Sequence, residues 1–283
     1  MIQYWVLTFN RPKSLNRVIS NLGLQGAKVN VLNNAPPSNI HIDSGNYYHL
    51  DQVVQNQVNT IEATSWCARS WNTIYLKALN QGDQIVCLQD DTDVGPHFVP
   101  WIEAFSQNYD FIFGPAGDQF HYITKSVIQK VGWWDEKFNA CYCADADYLR
   151  RVMHHYDTNR VSVEETHGWG FYHNPSGIAA NVIARTPHNV VDPDYKNQHT
   201  HLDEIAGGFN KIQDRHTTNY VVEQARHNYE TKWGVPLDDN RPCAAGGSMM
   251  PLTMEYDWYP WASKKHGITF YRDLMQSYSM TSI

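Results

Sequence analysis

The chain has 283 residues, 42% of them hydrophobic, with 22 basic and 29 acidic side chains and a formal charge of −7, which suits one large domain, or one domain with a sizeable extension, around a real core. The acidic balance and the absence of any Lys/Arg run exclude the basic footprint of a nucleic-acid binder, and no apolar run reaches the ~20 residues of a membrane-spanning helix. Five cysteines, an odd number in a long chain, argue against a disulfide scaffold and fit a reducing compartment.

The first segment, Ile2 to Asn10, is a near-continuous apolar run of the kind a strand buried on both faces requires. It reads as a strand rather than a secretory leader, so a soluble cytoplasmic protein is expected. Pro12 pre-sets a helix start. Leu15, Val18, Ile19 and Leu22 then recur at i, i+3, i+4 and i+7 on one helical face until Gly23 and Gly26 stop it. Ala27 to Asn33 reads as a second strand, closed by Ala35-Pro36-Pro37, and the polar stretch after it holds a short strand near Tyr47–Leu50.

A helix is expected from about Ser70 to Asn80, with Trp71, Ile74, Ala78 and Leu79 on one side. Gln84 to Gln89 is a short buried strand that runs straight into Asp90-Asp91-Thr92-Asp93. A helix after Pro96, a strand over Asp110–Phe113, and helices over Thr124–Val131 and Ala144–Tyr156 follow. Strands alternating with helices imply βαβ units and an α/β fold with a mostly parallel sheet. Past Asn174 the pattern changes to a loop rich in Pro, Asn and His, two helical stretches over Leu202–Gln213 and Thr218–Lys232, and an aromatic, irregular tail. The expected organisation is therefore a catalytic domain over residues 1–180 and an extension over 181–283.

Ligands in open α/β sheets bind beyond the carboxyl ends of the strands. Three such ends carry polar groups: Thr8, Asn10 and Arg11; Asn33 and Asn34; and the cluster Asp90, Asp91, Asp93. Amides at strand ends can read a nucleobase edge. Three carboxylates in four residues repel one another unless a positive charge lies between them, and an oxygen-only ligand set suits Mg²⁺ or Mn²⁺, which are commonly held by one or two carboxylates plus substrate phosphates. The bland alternative is a solvated Asp-rich turn before Gly95-Pro96. The aromatic share of 13% suits either core packing or surfaces on which sugar rings stack. Cys141-x-Cys143 reads as packing rather than as zinc ligation, because no second cysteine pair is near.

The runs VLTFNRPKSLNRVISNL, VNVLNNAPP, ARSWNTIYLKAL and IVCLQDDTDVGPHFV, followed by GWWDEKFN and CADADYLRR, resemble the GT-A fold glycosyltransferases, and the inverting family-2 type in particular, over about residues 1–180. The resemblance implies a GT-A (Rossmann-like) sheet flanked by helices, a nucleotide-sugar donor (a UDP-sugar foremost), Mn²⁺ or Mg²⁺, and a glycan or other hydroxyl acceptor. It places Asn10 and Arg11 at the base pocket with Asn33 or Asn34 where the family has Asp, and Arg69 and Asn72 near the nucleotide. The metal (DxD) motif has two registers, Leu88-Gln89-Asp90-Asp91 or Asp91-Thr92-Asp93, and Asp91 belongs to both. Asp145 falls at the catalytic carboxylate, with Asp147 as the alternative because Ala144 stands where the family has Glu. His173, or else His167, matches a late histidine beside the metal, and Trp133, Trp134, Asp135 and Glu136 would shape the acceptor pocket. The C-terminal third, with its segment Tyr256 to Trp261, fits acceptor binding or the pairing of subunits into a homodimer. Two other classes stay open. A nucleotidyltransferase shares Asp–metal chemistry, though NRPKSLNR is a poor match to its Gly-rich loop. A non-catalytic sugar- or nucleotide-binding module would keep the fold without turnover.

Overall fold

A computed structural model describes residues 1–8, 11–33, 47–49, 66–114, 119–135, 143–164, 173–174 and 183–185, with 227, 229–230 and 233 from the C-terminal third. The strands are β1 (Ile2–Thr8), β2 (Val29–Asn33), β3 (Tyr47–His49), β4 (Gln84–Gln89), β5 (Thr92–Val94), β6 (Phe111–Phe113), β7 (Phe120–Thr124), β8 (Val161–Val163) and β9 (Ile183–Arg185). The helices are α1 (Pro12–Gly23), α2 (Trp66–Leu79), α3 (Phe98–Phe105), α4 (Lys125–Val131) and α5 (Ala144–His155).

Seven strands form one sheet in the order β3-β2-β1-β4-β7-β6-β8, and β5 and β9 form a separate two-stranded ladder. The pairings β3-β2, β2-β1, β1-β4 and β6-β8 are parallel, whereas β7 is antiparallel to both its neighbours. The fold is thus α/β with a mixed sheet flanked by helices. Four of the six pairings are parallel, and β7, a strand the sequence pattern did not reveal, is the antiparallel addition. Only six residues separate β6 from β7, too few for the crossover that a parallel neighbour needs.

Alternation along each strand feeds two cores. Trp5, Leu7, Ile85, Cys87, Phe111 and Phe113 face α2, α4 and α5. Tyr4, Val6, Val86, Leu88 and Ile112 face α1 and α3. β1 supplies both layers, and six of its seven residues are buried. α1 starts on Pro12 and buries Leu15, Val18, Ile19 and Leu22, the apolar stripe read from the sequence. α5 runs against the direction of β4. Its far end lies at the amino edge of the sheet, where the Tyr156 hydroxyl donates to Asp110 Oδ2 at 2.9 Å, so its first turn lies toward the carboxyl edge. The expected helix over 202–213 and the tail from 235 lie outside the described residues; residues 227, 229, 230 and 233 are helical. β9 lies past residue 180 and still pairs with β5.

Gly114 is held at a close approach: a Cβ there would fall 2.4 Å from Phe120 Cδ1 and 3.0 Å from Phe120 Cβ. The Phe120 ring is packed against Phe98 and Trp101 and has little room to swing away. Gly114→Ala is expected to lower stability by about 1–3 kcal/mol, read as a shift of the urea midpoint; an unchanged midpoint would show that the ring can yield.

His121 on β7 is wholly buried among Trp71, Tyr75, Phe113 and Trp134. Its Nε2 lies 2.8 Å from the Tyr75 hydroxyl, which also accepts from Trp134 Nε1 at 2.9 Å. Burial lowers the His121 pKa to about 3. An unfolded histidine titrates near 6.5, so between those values the unfolded chain binds a proton that the native chain does not. Stability is expected to fall as pH drops from about 6.5 toward 3, by at most about 1.4 kcal/mol per pH unit. Melting curves across that window should show the slope in the parent protein and a flatter slope in His121→Gln; equal slopes would place the proton elsewhere.

Candidate functional site

The parallel register of β1 and β4 sets Leu7 opposite Gln89, and the ladder continues one step further through Asp90 N–H donating to Leu7 O at 3.0 Å. Thr8 and Asp90 are therefore side by side where the two strands end. The Thr8 hydroxyl donates to Asp90 Oδ2 at 2.5 Å. Arg11, which precedes α1, reaches Asp90 Oδ1 with Nη1 at 3.4 Å. On the other side of β1, Asn33 ends β2 in register with Thr8 and is fully buried. The carboxyl ends of three adjacent strands thus supply Thr8, Asn33 and Asp90, and the positive end of α1 adds to Arg11 beside them.

The three aspartates separate. Asp90 turns to Thr8 and Arg11. Asp91, also buried, accepts from Gln119 Nε2 at 3.1 Å, and Gln119 is itself fixed through its carbonyl, which accepts from Thr92 Oγ1 at 2.9 Å. Asp93, at 31% exposure, forms an ion pair with Arg17 on α1, so it faces the α1 side rather than joining the other two. Among the described residues, no group of three or more His, Cys, Asp and Glu side chains comes together. The donors left for a cation are two carboxylates consecutive in the chain, Asp90 and Asp91, turned to different partners. That complement fits Mg²⁺ or Mn²⁺ when substrate phosphates supply further oxygens.

Asp145 stands in the first turn of α5, on the face of the sheet opposite α1. It is largely buried, and its Oδ1 accepts from Ala146 N–H at 2.9 Å. The residue before the helix, Cys143, has φ +64, a left-handed conformation that a non-glycine side chain adopts at a cost. Asp147 differs. It is 0% exposed, its Oδ2 accepts from Arg151 Nε at 3.0 Å and its Oδ1 from Trp233 Nε1 at 3.0 Å. Of the two carboxylates left open by the sequence, Asp147 is enclosed by Arg151 and Trp233, and Asp145 keeps 8% exposure.

Several expected positions fall elsewhere. Asn72 directs both halves of its amide to the Trp134 main chain, at 3.0 and 2.8 Å; it joins α2 to the segment after α4 rather than facing the strand ends. Trp133 and Trp134 belong to the core. Trp134 stacks on Tyr148 at 4.5 Å, so its ring is spent on packing and not on an acceptor surface. Asp135 is buried next to them. His173 pairs through its main chain with the outer side of β8, and its Nε2 lies 3.0 Å from Thr158 O. That is four strand spacings from β4, roughly 19 Å, so His173 is not brought to the aspartates. Asn10, Asn34, Glu136, His167 and the side chain of Arg69 lie outside the described residues.

Gln119 and Arg17 were not legible as site residues. Gln119 acts through a tertiary contact 28 positions from Asp91, and Arg17 reads as one more polar position of an amphipathic helix. Comparison with protein-family models finds no match to this chain, and comparison with curated proteins finds no relative.

Thr8→Val keeps the side-chain shape but removes one donor from the buried Asp90 carboxylate. The expected loss is about 1–3 kcal/mol, measured by urea denaturation. A change within about 0.5 kcal/mol, as at ordinary surface positions, would mean that Asp90 does not depend on Thr8.

Proposed function

We propose that this chain is a metal-dependent glycosyltransferase of the GT-A type, moving a sugar from a nucleoside-diphosphate sugar to an acceptor hydroxyl with inversion. The single observation that carries the reading is that Asp90 and Asp91, both buried, follow β4 at the carboxyl edge of the parallel strands, with Arg11 and the start of α1 beside Asp90. Such an edge is where open α/β sheets take phosphate-bearing ligands. Resemblance of the sequence to family-2 enzymes supports the same assignment.

In this reading Asn33 and Arg11 bind the nucleotide, and Asp91 with Asp90 holds Mg²⁺ or Mn²⁺. The ion, when bound, neutralises negative charge on the diphosphate. Asp145 is the base. The acceptor oxygen forms a bond to the anomeric carbon as the bond from that carbon to the diphosphate oxygen breaks. The hydroxyl proton passes to Asp145, and the nucleoside diphosphate leaves with the bonding pair. Burial of Thr8, Asn33 and Asp90 keeps water from their hydrogen bonds and holds the edge rigid for binding.

The test is a thermal-shift panel of nucleotide-sugars, UDP-sugars first, with and without Mn²⁺, followed by transfer assays on whichever donor binds. A ligand present at 100 times its Kd should stabilise the native chain by about 2.7 kcal/mol. Asp91→Asn is expected to retain the fold and lose both the Mn²⁺-dependent shift and transfer. Full activity of that variant under chelation would overturn the reading. Product formed only from a sugar phosphate and a nucleoside triphosphate would replace it with nucleotidyl transfer.

A further inference from the structure

The first turn of α5 is gripped from outside the helix as well as from within it. Cys143 makes no side-chain cap and is held in a left-handed conformation. The outer grip comes from far along the chain. Trp233 donates Nε1–H to Asp147 Oδ1 at 3.0 Å, a contact 86 positions apart in sequence. Tyr229, one helical turn before Trp233, accepts from Arg150 Nε at 2.6 Å. The Arg150 guanidinium lies 5.5 Å from the Tyr229 ring centre and 5.4 Å from that of Trp233, and His154 stacks on Trp233 at 6.0 Å and 19°. Asp147, Arg150 and His154 recur at i, i+3 and i+7, one face of a helix. Both aromatic residues are fully or almost fully buried against that face.

The grip continues through the helix to the sheet side. Arg151, paired with Asp147, donates Nη1–H to Trp133 O at 2.7 Å and to Val131 O at 3.3 Å. Asp147 is thus locked between the end of α4 on one side and the C-terminal third on the other. Asp145 is two residues earlier, in the same helical turn.

We infer that Tyr229 and Trp233 are positioning residues: the C-terminal third reaches back to hold the first turn of α5, and with it Asp145, at the carboxyl edge of the sheet. The part of this concerning Asp145 rests on the glycosyl-transfer reading above; the clamp itself does not. A cation–π and charge-assisted contact that excludes water is strong enough to set the rotation of a short helix, and a side chain misplaced by about 1 Å at the reacting centre can lose about a hundredfold in rate.

The experiment uses the full chain and Trp233→Phe, which keeps an aromatic ring and removes the indole N–H. Hydrogen exchange of the amides of residues 144–150 is measured in both proteins, and donor KM and kcat are measured with the nucleotide-sugar found to be turned over. Exchange is expected to speed up by about tenfold in that turn, with kcat falling about tenfold or more and donor KM unchanged, because the donor contacts lie on β1, β2 and β4. Unchanged exchange overturns the clamp whether or not any activity has been found. Faster exchange with unchanged kcat overturns the positioning of Asp145. Absence of transfer in the parent protein would count against the glycosyl-transfer reading alone, and the exchange data would still decide the clamp. Should Trp233→Phe fail to fold, Tyr229→Phe, which removes only the hydroxyl that binds Arg150, is read by the same measurements and the same outcomes.

Discussion

The parallel pairing of β1 with β2 and β4 is the constraint on which the rest of the molecule depends. β1 is buried on both faces, so a slip of one residue would exchange the side chains of its two cores. Trp5 and Leu7 would then face α1, and Tyr4 and Val6 would face α2. That double burial locks the register Leu7 to Gln89 and Thr8 to Asn33. Once it is locked, the residues after each strand have no freedom to separate, and Thr8, Asn33 and Asp90 must share one edge.

Buried carboxylates are costly unless each has its own donors. The edge meets this by sending its aspartates to different partners. Asp90 takes a hydroxyl and a guanidinium, Asp91 the side-chain amide of Gln119, whose main-chain carbonyl accepts from Thr92, and Asp93 the guanidinium of Arg17. The segment leading into the antiparallel β7 brings Gln119 to Asp91, so a strand that interrupts the parallel run also helps complete its edge. In the proposed function, a diphosphate would meet Arg11 and the positive end of α1 at this edge.

The two faces of the sheet have separate tasks. α1 and α3 back the ends of β1 and β4 and carry Arg17. α2, α4 and α5 cover the other face and bring Asp145 to the carboxyl edge. The second face is tied together by polar groups set inside an apolar core: Asn72 to Trp134, Tyr75 to His121 and Trp134, and Asp147 to Arg151 and Trp233. Such buried networks are satisfied only in one arrangement, which makes the packing of α5 specific in a way that apolar contacts alone would not.

Period and punctuation were enough to read β1, α1, β2, β4 and α5 from the sequence, because each is long or strongly patterned and bounded by Pro, Gly or an Asp cluster. The same rules placed Thr8, Arg11, Asn33, Asp90 and Asp91 on one edge, since residues that follow parallel strands emerge together. The short strands β5, β7, β8 and β9 carry three to five residues each, too few for a period to declare itself, and their pairing is set by neighbours distant in the chain. The division of labour between Asp145 and Asp147 was likewise hidden. Two carboxylates two positions apart in one helical turn look alike in sequence, and only the arrival of Arg151 and Trp233 at Asp147 tells them apart. The same holds for Trp134 and His173. An aromatic or imidazole ring suits a ligand or a core equally well, and which it meets depends on where the chain folds back, a matter of tertiary packing that local residue order does not encode.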